Sequence, residues 1–176
     1  MGADGGVRVR TLDRIDEVRE LEPLLGEYIR FVCEDLETTA GVSFDPETLI
    51  SSTMSGLHKV VPPIGRTFVA ERGPCEAVGM VFLRKSGARD MEIKRLYVRP
   101  EGRGTGAGRA LVEAAVAEAR ALGVRALRLD TTRNLTPAIG LYRDMGFEFR
   151  DAYPESDHFE DEILADVLVF MEKVLD

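Results

Sequence analysis

Gly102, Gly104, Gly106 and Gly108 stand at every second position in the stretch VRPEGRGTGAGRALV, residues 98–112, directly before a run of good helix formers. A loop so poor in side chains leaves backbone N–H groups free to point at a ligand. A helix that starts there adds roughly half a positive charge at its N-terminus. Arg103 and Arg109 add full charges beside it. Lys94, Arg95, Arg99, Arg103 and Arg109 together face one acid, Glu101, in a chain whose formal net charge is -8. This is the chemistry of phosphate binding, most naturally of a pyrophosphate.

Spacing separates the candidate ligands. A P-loop requires G-x-x-x-x-G-K-[ST], and the chain contains no Gly-Lys dipeptide. The dinucleotide pattern G-x-G-x-x-G/A is matched by Gly102, Gly104 and Ala107. It should, however, follow the first strand of a parallel sheet, with an acidic residue about 20 positions on. Here strands of an antiparallel meander precede the loop, and Asp130 lies too far downstream, so the dinucleotide reading is weak.

The elements that must carry this loop can be read along the chain. VRVRTL (7–12) alternates as a strand, and Asp13 offers an N-cap to a helix with Val18, Leu21, Leu24, Leu25, Tyr28, Ile29 and Val32 at the 3.6 period, which Pro23 breaks or kinks. DPETLISSTMSGL (45–57) has an Asp cap and Pro at the first helical position, and VVPPIG (60–65) is a link. Strands follow at 66–71, 76–85 and 90–98, joined by short Gly- or Pro-containing separators that predict antiparallel hairpins. After the glycines come a helix over 106–122, a strand over 124–131, and a helix capped by Thr136 with Pro137 first. Strands at 147–152 and 166–175, separated by an acidic loop, close the chain. The pattern predicts one mixed α/β domain with a single β-α-β crossover around the loop.

Composition bounds the rest. A chain of 176 residues, 44% hydrophobic, fits one domain over 1–176 with a real core, residues 1–6 being expected to be disordered. The net negative charge argues against nonspecific nucleic-acid binding, and no apolar run approaches the roughly 18 residues of a membrane span. No secretory leader is expected from MGADGGVRVR, and Cys33 and Cys75 form no CxxC pair, so the expectation is a cytoplasmic protein with both thiols buried as small hydrophobes. His58 and His158 are isolated and show no zinc-ligand spacing, so no metal is expected.

The loop and the region after it resemble the GNAT superfamily of acetyl-CoA dependent N-acetyltransferases. The family signature [Q/R]-x-x-G-x-[G/A] is matched by Arg103, Gly104, Thr105, Gly106, Ala107 and Gly108, and NLTPAIGLYRDMGF (134–147) is similar to its N-x-x-A-x-x-L-Y-x-x-x-G-F segment. The resemblance implies a single α+β domain: a mostly antiparallel mixed sheet of about seven strands, flanked by about four helices and splayed between the fourth and fifth strands. It implies that residues 103–108, with Arg109 beside them, hold the pyrophosphate of acetyl-CoA. Leu96, Tyr97 and Val98 would meet the pantetheine and polarise the thioester through main-chain groups, and Asn134 would contact the cofactor. By the same resemblance Tyr142 protonates the departing thiolate, and Glu92 is the base that prepares the amine. An alkylammonium titrates near 10.4, so a placed proton acceptor is worth about 10² to 10⁴ in rate. Read as residues alone, Tyr142 is a core aromatic, and Glu92 a solvated strand residue or an ion-pair partner of Lys94.

The implied reaction is acetyl transfer to a primary amine of a small molecule or peptide by direct attack in a ternary complex. The alternative is a noncatalytic acetyl-CoA binding or sensing module. Acceptor entry is expected around residues 28–43 and 153–166, where Glu34, Asp35, Glu37, Glu155, Asp157, Glu160, Asp161 and Glu162 suggest a cationic acceptor or a solvated loop. Tyr28, Phe31, Tyr153 and Phe159 belong to that pocket or to the core. The apolar closing strand VLVFM serves either the core or the interface of a homodimer.

Overall fold

The computed structural model describes residues 6–74 and 76–175. Cys75 and residues 1–5, and with them most of the expected disordered segment, lie outside the described residues. One seven-stranded sheet runs in the order β1-β2-β3-β4-β5-β7-β6. Its strands are β1 (Val7–Leu12), β2 (Gly65–Arg72), β3 (Glu76–Lys85), β4 (Asp90–Val98), β5 (Ala126–Thr132), β6 (Glu148–Arg150) and β7 (Leu168–Val174). Every adjacent pair is antiparallel except β4 and β5. Helices α1 (Ile15–Arg19), α2 (Glu22–Ala40) and α3 (Pro46–Ser55) precede β2, α4 (Ala107–Ala121) fills the β4–β5 crossover, and α5 (Thr136–Asp144) follows β5.

Alternation along the central strands splits the core between the two faces. On β3, Val81 and Leu83 point to the face covered by α4, with Leu111, Val112 and Ala115. Met80 and Phe82 point to the opposite face, where Leu24, Leu25 and Ile29 of α2 pack with Met54 of α3. Leu111 is fully buried, a burial that contributes about 1.5 to 3 kcal/mol. β7 lies between β5 and β6, with Leu168 and Met171 buried, so VLVFM is core.

The break expected at Pro23 is present, and two expected helix caps move. The front helix is two helices, and Pro23 sets the break: its ring conflicts with the carbonyl four residues back, that of Arg19, where α1 ends. Pro23 is tolerated in the first turn of α2, whose early N–H groups need no helical partner. The N-cap of α1 is Arg14, not Asp13, and its N–H donates to the Glu17 carboxylate at 3.2 Å. The cap of α5 likewise moves one residue, to Leu135. At α3 the Asp45 side chain accepts the Thr48 N–H at 3.1 Å, as its sequence requires.

β4 positions the site. It pairs with β5 at Asp90↔Ala126, Met91↔Leu127 and Glu92↔Arg128, and the two strands then diverge. Beyond that point β4 stays on β3 and β5 stays on β7. Met80 faces Tyr97 and Phe82 faces Lys94, so Arg95 and Leu96 together oppose Val81. This is a β-bulge, and Arg95 takes a φ of 56° in it.

Candidate functional site

The four glycines have different physical reasons. Gly104 and Gly106 adopt φ values of 76° and 88°, which L side chains disfavour, so Gly104 is demanded by the turn itself. Gly102 serves close packing: a Cβ there would lie 3.0 Å from the Cβ of Val78. A Cβ on Gly108 would meet only ordinary contacts, 3.5 Å from Leu141 Cδ2, so the packing of the protein does not require glycine there. The Thr105 hydroxyl donates to the Gly102 carbonyl at 2.6 Å and closes the turn.

Among the described residues, the N–H groups of Gly104, Thr105 and Gly106 meet no backbone acceptor, and those of Ala107, Gly108 and Arg109 are the orphan donors of the α4 N-terminus. Open space lies above Gly104 and Gly106. Such a concave row of donors at a helix N-terminus fits a pyrophosphate. Arg103 donates from Nε to the Val98 carbonyl at 3.1 Å, and its guanidinium lies 5.9 Å from the centre of the Phe31 ring. The other basic residues nearby are mostly spent within the fold. Arg99 pairs with Glu27 at 2.6 Å, Arg109 leans 3.6 Å from Asp144, and Lys94 lies between two carboxylates.

Where β4 and β5 part, a cavity of about 180 Å³ opens, lined by Tyr28, Cys33, Arg95, Asp130, His158 and Asp161 together with Val32, Leu36, Leu164 and Leu168. Lys94 Nζ bridges the gap, 2.6 Å from Asp130 and 2.9 Å from Glu92. Burial alone would raise the Asp130 carboxyl, but the Lys94 charge holds it below its ordinary value. Burial likewise pulls on Lys94, and Asp130 and Glu92 outweigh it, so its ammonium stays charged to higher pH. His158 Nδ1 lies 3.2 Å from Asp161 Oδ2, while Asp161 Oδ1 accepts the N–H groups of Ile163 and Leu164 at 3.1 Å each. Burial pushes the Cys33 thiol up, consistent with an inert hydrophobe.

Glu92 is fully buried and does not line the cavity. Its Oε2 accepts Arg84 Nε at 3.1 Å and Nη2 at 2.9 Å, and its Oε1 accepts the Tyr153 hydroxyl at 2.7 Å beside Lys94. The side chain is therefore an ion-pair partner of Lys94, not a solvated residue. A carboxylate with every oxygen engaged by a donor is not poised to take a proton from an amine. Tyr142 is buried against Phe147, ring centres 5.6 Å apart, and its hydroxyl has no hydrogen-bond partner among the described residues. Burial, with Tyr28 and the Asp130 charge behind it, raises its hydroxyl well above the ordinary phenol value, so the proton is retained.

Asn134 Nδ2 donates to both oxygens of Asp35, at 2.7 and 2.8 Å, tying the β5–α5 turn to α2. The acids expected along the acceptor route mostly stay outside the cavity. Glu155 reaches Arg128, Asp157 pairs with Arg84 at 2.7 Å, Glu34 and Glu37 are exposed, and only Asp161 lines it. Of the four aromatics, Tyr28 lines the cavity, Tyr153 is core, and Phe31 and Phe159 are exposed.

Residues 30–147 match the model of the Acetyltransferase (GNAT) family. The chain belongs to the GNAT family. Among GNAT relatives, it is 33% identical over 132 residues to the IAA acetyltransferase of Azospirillum brasilense, covering 74% of this chain and 83% of that one. It is 38% identical over 98 residues to an uncharacterized N-acetyltransferase of Schizosaccharomyces pombe, covering 55% of this chain and 60% of that protein's length. The GNAT fold is also that of the PaiA N-acetyltransferase of Thermoplasma acidophilum, solved in complex with coenzyme A, with a TM-score of 0.67, 19% identity and coverage of 96% and 99%. Splay, bulge and glycine loop together are the GNAT architecture implied by residues 98–112 and 134–147. Arg95, Asp130 and His158 come from three separate segments of the chain, so their spacing does not bring them together as one site. The close spacing of His158 and Asp161 is the one local signal that pointed to them.

Proposed function

We propose that this chain transfers the acetyl group of acetyl-CoA to a primary amine of a small molecule or peptide by direct attack in a ternary complex. The row of unpaired N–H groups from Gly104 to Arg109, set beside the open slot between β4 and β5, carries this reading. When bound, acetyl-CoA supplies an acetyl thioester whose carbonyl carbon accepts a neutral amine and whose sulfur departs as a thiolate. Residues 103–108 hold the pyrophosphate, and the main chain of Leu96, Tyr97 and Val98, on the β4 edge released from β5, holds the pantetheine and polarises the carbonyl.

Two protons must move. Among the groups lining the cavity, Asp130 is held by Lys94 and Asp161 by its loop N–H groups. In the tautomer whose Nδ1–H points at Asp161, 3.2 Å away, His158 presents Nε2 as an acceptor and takes the ammonium proton, a base oriented by a third group. Tyr142 gives its proton to the departing sulfur, and the second proton, shed by the nitrogen as the tetrahedral adduct collapses to the amide, passes to solvent, from which Tyr142 is reprotonated. Glu92 is a positioning residue that fixes Lys94 and Arg84.

Thiol release from acetyl-CoA across an amine panel tests this reading. The parent is expected to turn over at least one amine, and Tyr142→Phe to bind acetyl-CoA while losing about tenfold or more in kcat. If acetyl-CoA binds but no amine raises thiol release above buffer, the chain is the noncatalytic module instead.

A further inference from the structure

We infer that the acceptor is a small amine that also carries a carboxylate, in the manner of an aliphatic amino acid, and that Arg95 is the residue that reads the carboxylate. The inference rests on the acetyltransferase reading above and narrows its acceptor.

Arg95 is the one residue other than glycine with positive φ among the described residues, held so by the bulge that turns β4 away from β5. Its side chain lines the cavity, and its one polar contact is a long 3.4 Å approach from Nη2 to the Thr53 hydroxyl. Among the described residues no carboxylate lies within ion-pair distance of it. The surrounding cations differ: Arg84, Lys94, Arg99 and Arg128 each meet at least one carboxylate within 3 Å. A guanidinium that faces a cavity with no carboxylate in ion-pair contact is open to a bound anion. Its planar fork matches a carboxylate through two parallel N–H bonds.

The other lining groups supply the complement. His158, Asp161 and Asp130 give the ammonium a negative or proton-accepting surface, and Val32, Leu36 and Leu164 give a short aliphatic side chain an apolar one. The cavity, about 180 Å³, has room for a small zwitterion. A dication would also place charge against Arg95. The pyrophosphate of acetyl-CoA is no competitor, because its cradle lies at the α4 N-terminus.

The experiment compares kcat/KM for aliphatic amino acids, each against its decarboxylated amine, with calorimetric binding of the same compounds in the presence of coenzyme A. The best amino acid is expected to exceed its amine by about tenfold or more. Arg95→Gln should bring that ratio to within about twofold of one, through the acceptor KM and with the acetyl-CoA KM unchanged, and Arg95→Lys should restore part of it. Arg95→Asn, whose side chain tolerates the left-handed backbone, separates loss of the guanidinium from loss of the bulge. A parent that prefers the amines, or an Arg95→Gln that weakens both members equally, overturns the inference and leaves the transferase reading standing. Arg95-dependent binding of an amino acid without product formation supports the inference and sinks the transferase reading.

Discussion

Glu92→Gln separates a base from a positioning residue. Every group around the Glu92 carboxylate is a donor: Arg84 Nε and Nη2, Lys94 Nζ and the Tyr153 hydroxyl, all within 3.1 Å. The substitution removes the buried charge and turns an amide NH₂ toward cations. Breaking a buried ion pair from one side costs about 3 to 5 kcal/mol. Arg84 keeps Asp157 and Lys94 keeps Asp130, so the lower end, about 3 kcal/mol, applies. For a chain of this size that is roughly 6 to 12 °C in Tm, at about 2 to 4 °C per kcal/mol. Thermal unfolding, with urea denaturation as a check on two-state behaviour, measures the loss. Activity assayed well below the lowered Tm should fall without any change in the pH profile of kcat/KM. A Tm within about 2 °C of the parent, together with a hundredfold fall in kcat and a vanished pH limb, would refute the network and restore Glu92 as the base.

The glycine loop gives a graded series. Gly106→Ala strains a left-handed position by about 1 to 2 kcal/mol and weakens acetyl-CoA binding, whereas Gly102→Ala overpacks against Val78 by about 1 to 3 kcal/mol and lowers Tm first. Gly108→Ala leaves Tm within about 2 °C of the parent and weakens acetyl-CoA binding in calorimetry, since only a ligand needs that space. Asn134→Ala lowers stability by about 1 kcal/mol through Asp35 and changes acetyl-CoA affinity less than twofold; a tenfold loss would put Asn134 on the cofactor. In acid, burial works against the Asp130 and Asp157 carboxylates but Lys94 and Arg84 override it, so their folded pKa values lie below the unfolded ones. Their stabilisation is thus present above the ordinary carboxylate range and lost as pH falls through about 4 and below. Urea unfolding against pH should show this limb, and an equally steep limb in Asp130→Asn would count against the Lys94 bridge.

Motifs bound to local backbone geometry were legible. Gly104 and Gly106 mark the turn before α4, and the unbroken apolar run AVGMVFL on β3 marks a strand buried on both faces, because each property is written within a few neighbouring residues. What a charged residue does once the chain is folded was not. Lys94, Arg99 and Arg109 looked like part of a phosphate site, yet their partners Asp130, Glu27 and Asp144 lie far away in sequence. Asn134 was read toward the cofactor and bonds Asp35, 99 residues away. Arg95 resembled its basic neighbours, and only the two-against-one register opposite Val81 sets it apart.

On the proposed reading, that register also lets one strand serve both substrates. A regular β4 would spend its outer N–H and C=O groups on β5 and close the slot. The bulge raises the local twist, β5 follows β7 instead, and an edge of unpaired groups is left inside the molecule. Such an edge is costly in an apolar interior unless something meets it. The two residues opposite Val81 divide that duty. Leu96 packs against the core on the α4 side of the sheet, and Arg95 lines the cavity on the side of α2 and α3. The Lys94–Asp130 contact then fixes the width of the opening by charge where no ladder can. On the proposed reading, this one inserted residue leaves a strand edge for the donor and turns Arg95 toward the cavity proposed for the acceptor.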